Sequence, residues 1–515
     1  MKVDNDLVRH IAQLANLPLT DKEVEIFRPQ LEQILCYVDQ LAKVDTAGVE
    51  PTFQVLDNTC NIWREDKVSG HCLTQKEALS QAATTHQGYF VADNVFGGKK
   101  VRLPKKITRP ILDKYNSVLT KVDPQGNLGH KDLFCTKGIE TTAGAKVLNG
   151  YLPQYSATVV EQLARIGYKL KFKLNQDAWG HGSSGENSDF GPTKNPWDLS
   201  RVAGGSSSGS AVAVATGEVE IATGTDTCGS IRMPANFCNI CGLKPTYGAL
   251  SRYGVIAFAS SLDCPSLFAR SVTKLKEVFN KIAVSDSHDA TSQSQARNKA
   301  VKKIKTIGLV KEFVNNKLIL AGAKLLETQG VKLRNVSLPH ANYGIAAYYL
   351  IAPTETCSNL ARYDGVRFGH DRSNFGPEAK RRIMLGSFAA SAGYAAKYYA
   401  KAAKIRSLII NDFAKVFQDV DAVLAPVSPT PAFKLGKNMA DPLAMYLEDI
   451  YAAPASLAGL PSLALPCGFT QNKLPVGMQL IGPRWSENGL FQLGEQFQKI
   501  TNYHLQRPIL LNCSR

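Results

Sequence analysis

A chain of 515 residues with 60 Lys and Arg against 44 Asp and Glu carries a formal charge of +16 at pH 7. The length excludes one small domain, and 44 % hydrophobic with 20 % charged residues excludes a disordered or fibrous chain. No window is apolar for long enough to span a bilayer, and MKVDNDLVRH at the amino terminus has no signal-peptide core, so a cytoplasmic protein that attracts polyanions is expected.

Residues 4–17 carry Leu7, Val8, Ile11, Ala12, Leu14 and Ala15 at helical spacing, and Pro18 stops that helix. Thr20 and Glu23 form a capping-box pattern. The helix that follows buries Phe27, Leu31, Ile34, Leu35, Val38 and Leu41, and Pro29 inside it predicts a kink or a late start. Two such helices make a poor core alone, so this region should dock on something larger. Residues 46–96 read as an extended strap over a partner, completing a module over 1–96. GGKKVRLPKKI at 97–107 opens a basic linker that runs to 115. From 116 to 515, helical stretches alternate with short apolar runs, which predicts an α/β domain. VVEQLARIGYKL, KTIGLV, the helix-like 393–418 and DAVLAP are examples. SLALPCGF and GMQLIG read as buried strands, and SENGLFQLGEQFQKI as a last amphipathic helix.

Eleven cysteines without regular spacing fit reduced thiols, and Cys238 with Cys241 form a CxxC that lacks a second ligand pair, so no metal is expected. Residues 204–235 hold the densest chemistry. Two glycine-rich turns, each with a serine, Ser206 and Ser230, are joined by small residues. Such turns leave backbone N–H groups free beside an exposed hydroxyl, which suits a nucleophile with an oxyanion hole.

HKDLFCTKGIETTAG, GSSGENSDFGPTKNPWD, GGSSSGSAVAVA, GTDTCGSIRMPANFCNICGLKPTYG and GVIAFASSLD resemble the amidase signature family. ATVVEQL, KRRIMLG, DPLAMY, LAGLPSLALPCG and PVGMQLIG bring the chain nearest to the A subunits of glutamyl-tRNA(Gln) amidotransferases. HIAQLANLPLT, ILCYVDQLAKVDT, REDKV and GYFVADNVF resemble their C subunits, so the chain reads as a C–A fusion. The resemblance implies an α/β amidase signature fold: a mixed central sheet covered by helices on both faces, with an N-terminal helical and extended module. It implies Lys131 as base, Ser206 after a cis peptide as proton relay, and Ser230 as nucleophile. Backbone N–H groups of Thr227, Cys228, Gly229 and Ser230 would form the oxyanion hole. Arg382 matches the ligand of a glutamine α-carboxylate and Asp449 that of its α-amino group. Arg381 stays open for the first role, and Asp441 or Glu448 for the second.

The implied function is release of ammonia from glutamine to convert Glu-tRNA(Gln), or Asp-tRNA(Asn), to its amide. A separate B-type subunit would hold ATP, Mg²⁺ and most of the mischarged tRNA. No P-loop pattern is present and no cofactor is expected in this chain. A stand-alone amidase on small amides, or a catalytically impaired scaffold for the B-type partner and tRNA, are the alternatives. Two departures from the family bear on them. Cys228 replaces a glycine and is strained if φ there is positive. DPQGNLGHKD lacks the usual apolar run, so the strand ahead of Lys131 is expected to be weak or missing.

Overall fold

The computed structural model describes residues 3–56, 66–67, 72–92, 109–293, 302–313 and 316–508. The basic stretch 97–107 lies outside the described residues. Eleven strands form one mixed sheet, numbered here in chain order: β1 Val118–Lys121, β2 Leu128–Lys131, β3 Leu170–Leu174, β4 Ile221–Thr225, β5 Cys241–Lys244, β6 Pro265–Ala269, β7 Thr306–Val310, β8 Lys332–Val336, β9 Ala422–Pro426, β10 Ser462–Phe469 and β11 Pro475–Ile481. Their order across the sheet is β8-β7-β9-β11-β10-β5-β6-β4-β2-β3-β1. The central strands β10 and β11 are buried along almost their whole length because helices flank the sheet, which is why they read as largely apolar runs. No helix among the described residues is long and apolar enough to cross a membrane.

The strand expected to be missing is present. β2 runs parallel to both β3 and β4 and is hydrogen-bonded between them. Its residues look unlike a core strand for two reasons. A Cβ on Gly129 would fall 2.3 Å from Leu174 Cδ1, so glycine is what lets β3 pack there. His130 and Lys131 are fully buried but find polar partners, beginning with Thr223 Oγ1, which lies 3.1 Å from His130 Nδ1. This strand supports a polar centre, so it lacks an apolar signature.

The two N-terminal helices form where the sequence predicts. α1 (Asn5–Leu14) is capped by Asp4, whose carboxylate accepts from Leu7 N–H at 2.8 Å. α2 (Asp21–Val38) starts at a reciprocal box in which Glu23 N–H donates to Thr20 Oγ1 and Thr20 N–H to Glu23 Oε2. Pro29 does not delay that start. The carbonyl it leaves without a helical donor belongs to Glu25, an exposed residue, where water can serve.

α2 docks on three helices of the same chain, α3 (Gly344–Leu360), α4 (Pro377–Ala390) and the helix Pro442–Leu447, and the 3-10 turn Asp39–Lys43 that follows α2 meets α5 (Lys401–Asp419). Phe27, Leu31, Ile34 and Leu35 share one hydrophobic core with Ile345, Tyr349, Ile383 and Ile405. Polar clasps surround it. Lys380 pairs with Glu23 at 2.6 Å, and Gln33 donates to Asp441 at 3.1 Å. The Arg372 guanidinium donates to the carbonyls of Ala15 and Asn16, which end α1 with the C-terminal polarity a cation favours. The expected strap over a partner lies, over residues 44–56, on the chain itself. Lys401 donates to the Val44 carbonyl, Thr52 N–H to that of Ala403, and Arg484 to that of Val55.

Candidate active site

Lys131 closes β2 with its side chain fully buried. Its Nζ donates to Ser206 Oγ at 2.7 Å and to Thr225 Oγ1 at 2.8 Å. Ser206 reaches this position through a compressed turn. Gly204 has φ +82°, and a Cβ on it would fall 2.8 Å from Pro234 Cα. A Cβ on Gly205 would fall 1.9 Å from Asp177 Oδ2. The Gly205–Ser206 peptide is cis. Asp177 is itself held by the N–H groups of Gly185 and Asn187. Burial drives the Lys131 ammonium down to about 7, although the carboxylates of Asp177, Asp263 and Asp226 favour the charged form. A lysine so placed is substantially neutral at physiological pH and can take a proton.

Ser230 stands in the turn that joins β4 to the helix Arg232–Cys238. That turn is built from behind. Arg232 and Asp226 are both fully buried and paired, with Nε to Oδ2 at 3.0 Å and Nη2 to Oδ1 at 2.9 Å. Arg232 Nη2 also donates to the Cys228 carbonyl, which takes a second bond from Ser456 Oγ at 3.1 Å. Because the peptide is trans and planar, fixing that carbonyl inward aims the Gly229 N–H the opposite way. Thr227 is tied by its hydroxyl to Asp263 Oδ1 at 2.8 Å. Among the described residues, the N–H groups of Thr227, Cys228, Gly229 and Ser230 find no acceptor. Four such donors around a serine hydroxyl make a site for developing negative charge.

The strain expected at Cys228 is not there. Its φ lies outside the left-handed region, so a side chain is tolerated. Burial, with Asp449 adding to it, pushes the thiol well above its ordinary range and keeps it protonated. Gly229 is the residue that needs to be glycine, for space. A Cβ there would sit 2.6 Å from Asp449 Oδ1 and 3.0 Å from Ala452 Cβ. Gly229→Ala is expected to push Asp449 aside and raise the KM for the amide substrate about tenfold, read by steady-state kinetics.

The alternative residues left open in the sequence lie in different surroundings. Arg382, on α4, is buried among rings, its guanidinium carbon 5.0 Å from the centre of Tyr349 and 5.4 Å from those of Phe258 and Tyr446. Its Nε donates to Glu378 Oε1 at 2.6 Å. Arg381 turns the other way, toward Gln30 and Phe27 of α2. Asp449 lies beside the serine turn. One oxygen accepts from the Ser183 hydroxyl, and the other, Oδ1, is buried with no hydrogen-bond partner among the described residues. Burial pushes its carboxyl up to about 7, and the hydrogen bond from Ser183 and the charges of Arg232 and Arg382 oppose that rise. Asp441 instead caps the helix Pro442–Leu447, and Glu448 accepts from Thr430.

The structure thus gathers Lys131, Ser206 and Thr225 in one hydrogen-bonded group, with Asp449 against Gly229 of the serine turn and the Arg382 charge acting on both Asp449 and Cys228. Sequence reasoning missed the supporting groups: Asp177, Thr225, Asp263, Ser183, Glu378 and the ring pair Tyr349–Tyr446. Ser183, Thr225, Asp263 and Tyr446 lie inside stretches that carry the family resemblance, but no local pattern singles them out there, and Asp177, Tyr349 and Glu378 lie outside those stretches. A cavity of ≈ 200 Å³ lined by Arg252, Tyr253, His288 and Asp289 also includes Asp263, whose carboxylate accepts from the Thr227 hydroxyl.

Residues 128–491 match the family described as Amidase, and residues 19–91 match Glu-tRNAGln amidotransferase C subunit. The A subunit of glutamyl-tRNA(Gln) amidotransferase from Myxococcus xanthus (strain DK1622) is 49 % identical over 401 residues, covering 72 % of this chain and 82 % of that protein. Its counterpart from Geobacillus kaustophilus (strain HTA426) is 46 % identical over 478 residues, covering 85 % of this chain and 98 % of the relative. Among solved structures, the crystal structure of the same amidotransferase component from Thermotoga maritima is similar, with a TM-score of 0.65 and 37 % identity, over 75 % of this chain and 87 % of that one.

Proposed function

We propose, from the premise that this chain belongs to the amidase family, that it is the glutamine-hydrolysing component of a glutamyl-tRNA(Gln) amidotransferase. One observation carries the reading. A buried guanidinium and a buried carboxylate with an unpartnered oxygen stand beside the serine turn, the complement of an amino-acid head group. With the α-carboxylate on Arg382 and the α-ammonium on Asp449, the side-chain amide is directed to Ser230.

Ser206 then accepts the Ser230 proton as it passes its own to neutral Lys131. Ser230 Oγ attacks the amide carbon, and the N–H groups of 227–230 hold the oxyanion. Collapse breaks the C–N bond, the amide nitrogen takes the proton back through Ser206, and ammonia leaves. Water attacks the resulting Ser230 ester by the same relay and releases glutamate. Arg382→Ala is expected to raise the KM for glutamine about 10- to 100-fold with a smaller change in kcat, because the arginine binds a group distant from the reacting bond.

The ammonia serves a B-type subunit, which binds ATP and Mg²⁺ and most of the tRNA, in the cytoplasm. The C-subunit match over 19–91 favours this assembly over a stand-alone amidase. The test supplies the chain with its B-type partner, ATP, Glu-tRNA(Gln) and glutamine labelled with ¹⁵N in its side-chain amide. Label in the Gln-tRNA product supports the proposal. Product formed only from added ammonium overturns it, and label appearing only with Asp-tRNA(Asn) reassigns the acceptor.

A further inference from the structure

Glu378, Arg381 and Arg382 lie at i, i+3 and i+4 on α4, so Glu378 neighbours both arginines, one on either side, and all three are buried. The carboxylate of Glu378 is divided between the two arginines. Its Oε1 accepts from Arg382 Nε at 2.6 Å and from the Tyr446 hydroxyl at 3.1 Å, and its Oε2 meets Arg381 Nη1. Arg381 is fixed in turn by the N-terminal module. Its Nε donates to Gln30 Oε1 at 3.0 Å, and its guanidinium carbon sits 5.8 Å from the centre of the Phe27 ring. A continuous chain of contacts therefore runs from α2 through Arg381 and Glu378 to Arg382.

We propose that the N-terminal module positions the substrate-binding arginine: Gln30 and Phe27 hold Arg381 on one oxygen of Glu378, so that Glu378 grips Arg382 by Nε alone. Carboxylates and guanidinium groups prefer a two-point fork. Released from Arg381, Glu378 would bring its second oxygen onto Arg382 and cover the edge that faces the substrate carboxylate. Gln30, Arg381 and Glu378 are positioning residues. The proposal rests on the reading of Arg382 as the α-carboxylate ligand.

The test measures glutamine-dependent and ammonium-dependent amidation by the full chain with its B-type partner, for Gln30→Ala, Arg381→Gln, Glu23→Gln and Arg382→Ala. Gln30→Ala and Arg381→Gln are expected to raise the KM for glutamine about three- to tenfold, with kcat and ammonium-dependent turnover within about twofold of wild type. Glu23→Gln, which loosens the Lys380 contact on the same docking face, should leave that KM unchanged. Gln30 is only half-buried, so its variant keeps the test decisive if Arg381→Gln does not fold. An unchanged KM in Gln30→Ala, or an equal rise in Glu23→Gln, overturns the proposal. If Arg382→Ala itself leaves the KM unchanged, the substrate reading of Arg382 has failed. If Arg382→Ala raises it and Gln30→Ala does not, the relay alone has failed.

Discussion

Ser230→Ala is expected to lower glutamine-dependent amidation by about 10⁴-fold or more while leaving ammonium-dependent amidation near the wild-type rate. The size follows from its place in the scheme. Without the hydroxyl no acyl intermediate forms, and the N–H groups of residues 227–230 have no tetrahedral adduct to stabilise. The fold should survive, because Ser230 donates no hydrogen bond to the described residues and the turn is held by Arg232, Asp226 and Ser456. Glutamine binding should survive too, since Arg382 and Asp449 are untouched. Isothermal titration with glutamine, beside the two amidation assays, checks all three outcomes. Equal loss with ammonium would mean that the turn serves assembly and not amide hydrolysis.

Lys131→Met should cost about 10³-fold in glutamine-dependent kcat, within the range of a lost general base. Lys131→Arg should be no better, because a guanidinium keeps its proton. In the wild type the lysine acts only when neutral, so glutamine-dependent kcat/KM should climb as pH rises through about 7 and level off above. Asp449, pushed up to about 7 by burial, must be ionised to bind the α-ammonium, so the climb should be steeper than one proton gives. Stability provides an independent check. The lysine's pKa is lower in the folded chain than in the unfolded one, so the unfolded state holds the extra proton between about 7 and 10.5. Burying the lysine therefore costs most below pH 7, and the cost is relieved as pH rises to 10.5. Relative to Lys131→Met, the wild type should gain stability with pH by up to about 1.4 kcal/mol per unit across that window. Urea unfolding of both proteins at pH 7, 8 and 9 measures it, and parallel curves would refute a buried neutral lysine.

Where structure depends on burial of apolar side chains, the sequence was readable. β10 and β11 appear as largely apolar runs, and α1 and α2 announce themselves by period and by their caps. β2 was obscured because its buried His130 and Lys131 find polar partners and its glycine makes room for Leu174. At Cys228 the usual reason for glycine, a positive φ, misled. The turn needs its small residue one position later, where Asp449 comes close, and only the folded chain brings residues 229 and 449 together. Arg381 and Arg382 are adjacent on one helix, so no periodicity distinguishes them. Their neighbours do, Gln30 and Phe27 for one and three aromatic rings for the other. Asp177 and Thr225 act on Lys131 from separate segments; Thr225 lies inside GTDTCGSIR but nothing in that stretch singles it out, and Asp177 lies outside the stretches that carry the family resemblance.

The shared core of α2 with α3, α4 and α5 has a consequence for stoichiometry. In relatives the matching units carry the names of separate subunits, whose union is a second-order event that dilution or unequal synthesis can defeat. Carried on one polypeptide, the docking of the helical module becomes first-order. Every copy of the hydrolase then meets one copy of the helices that brace it, at any concentration.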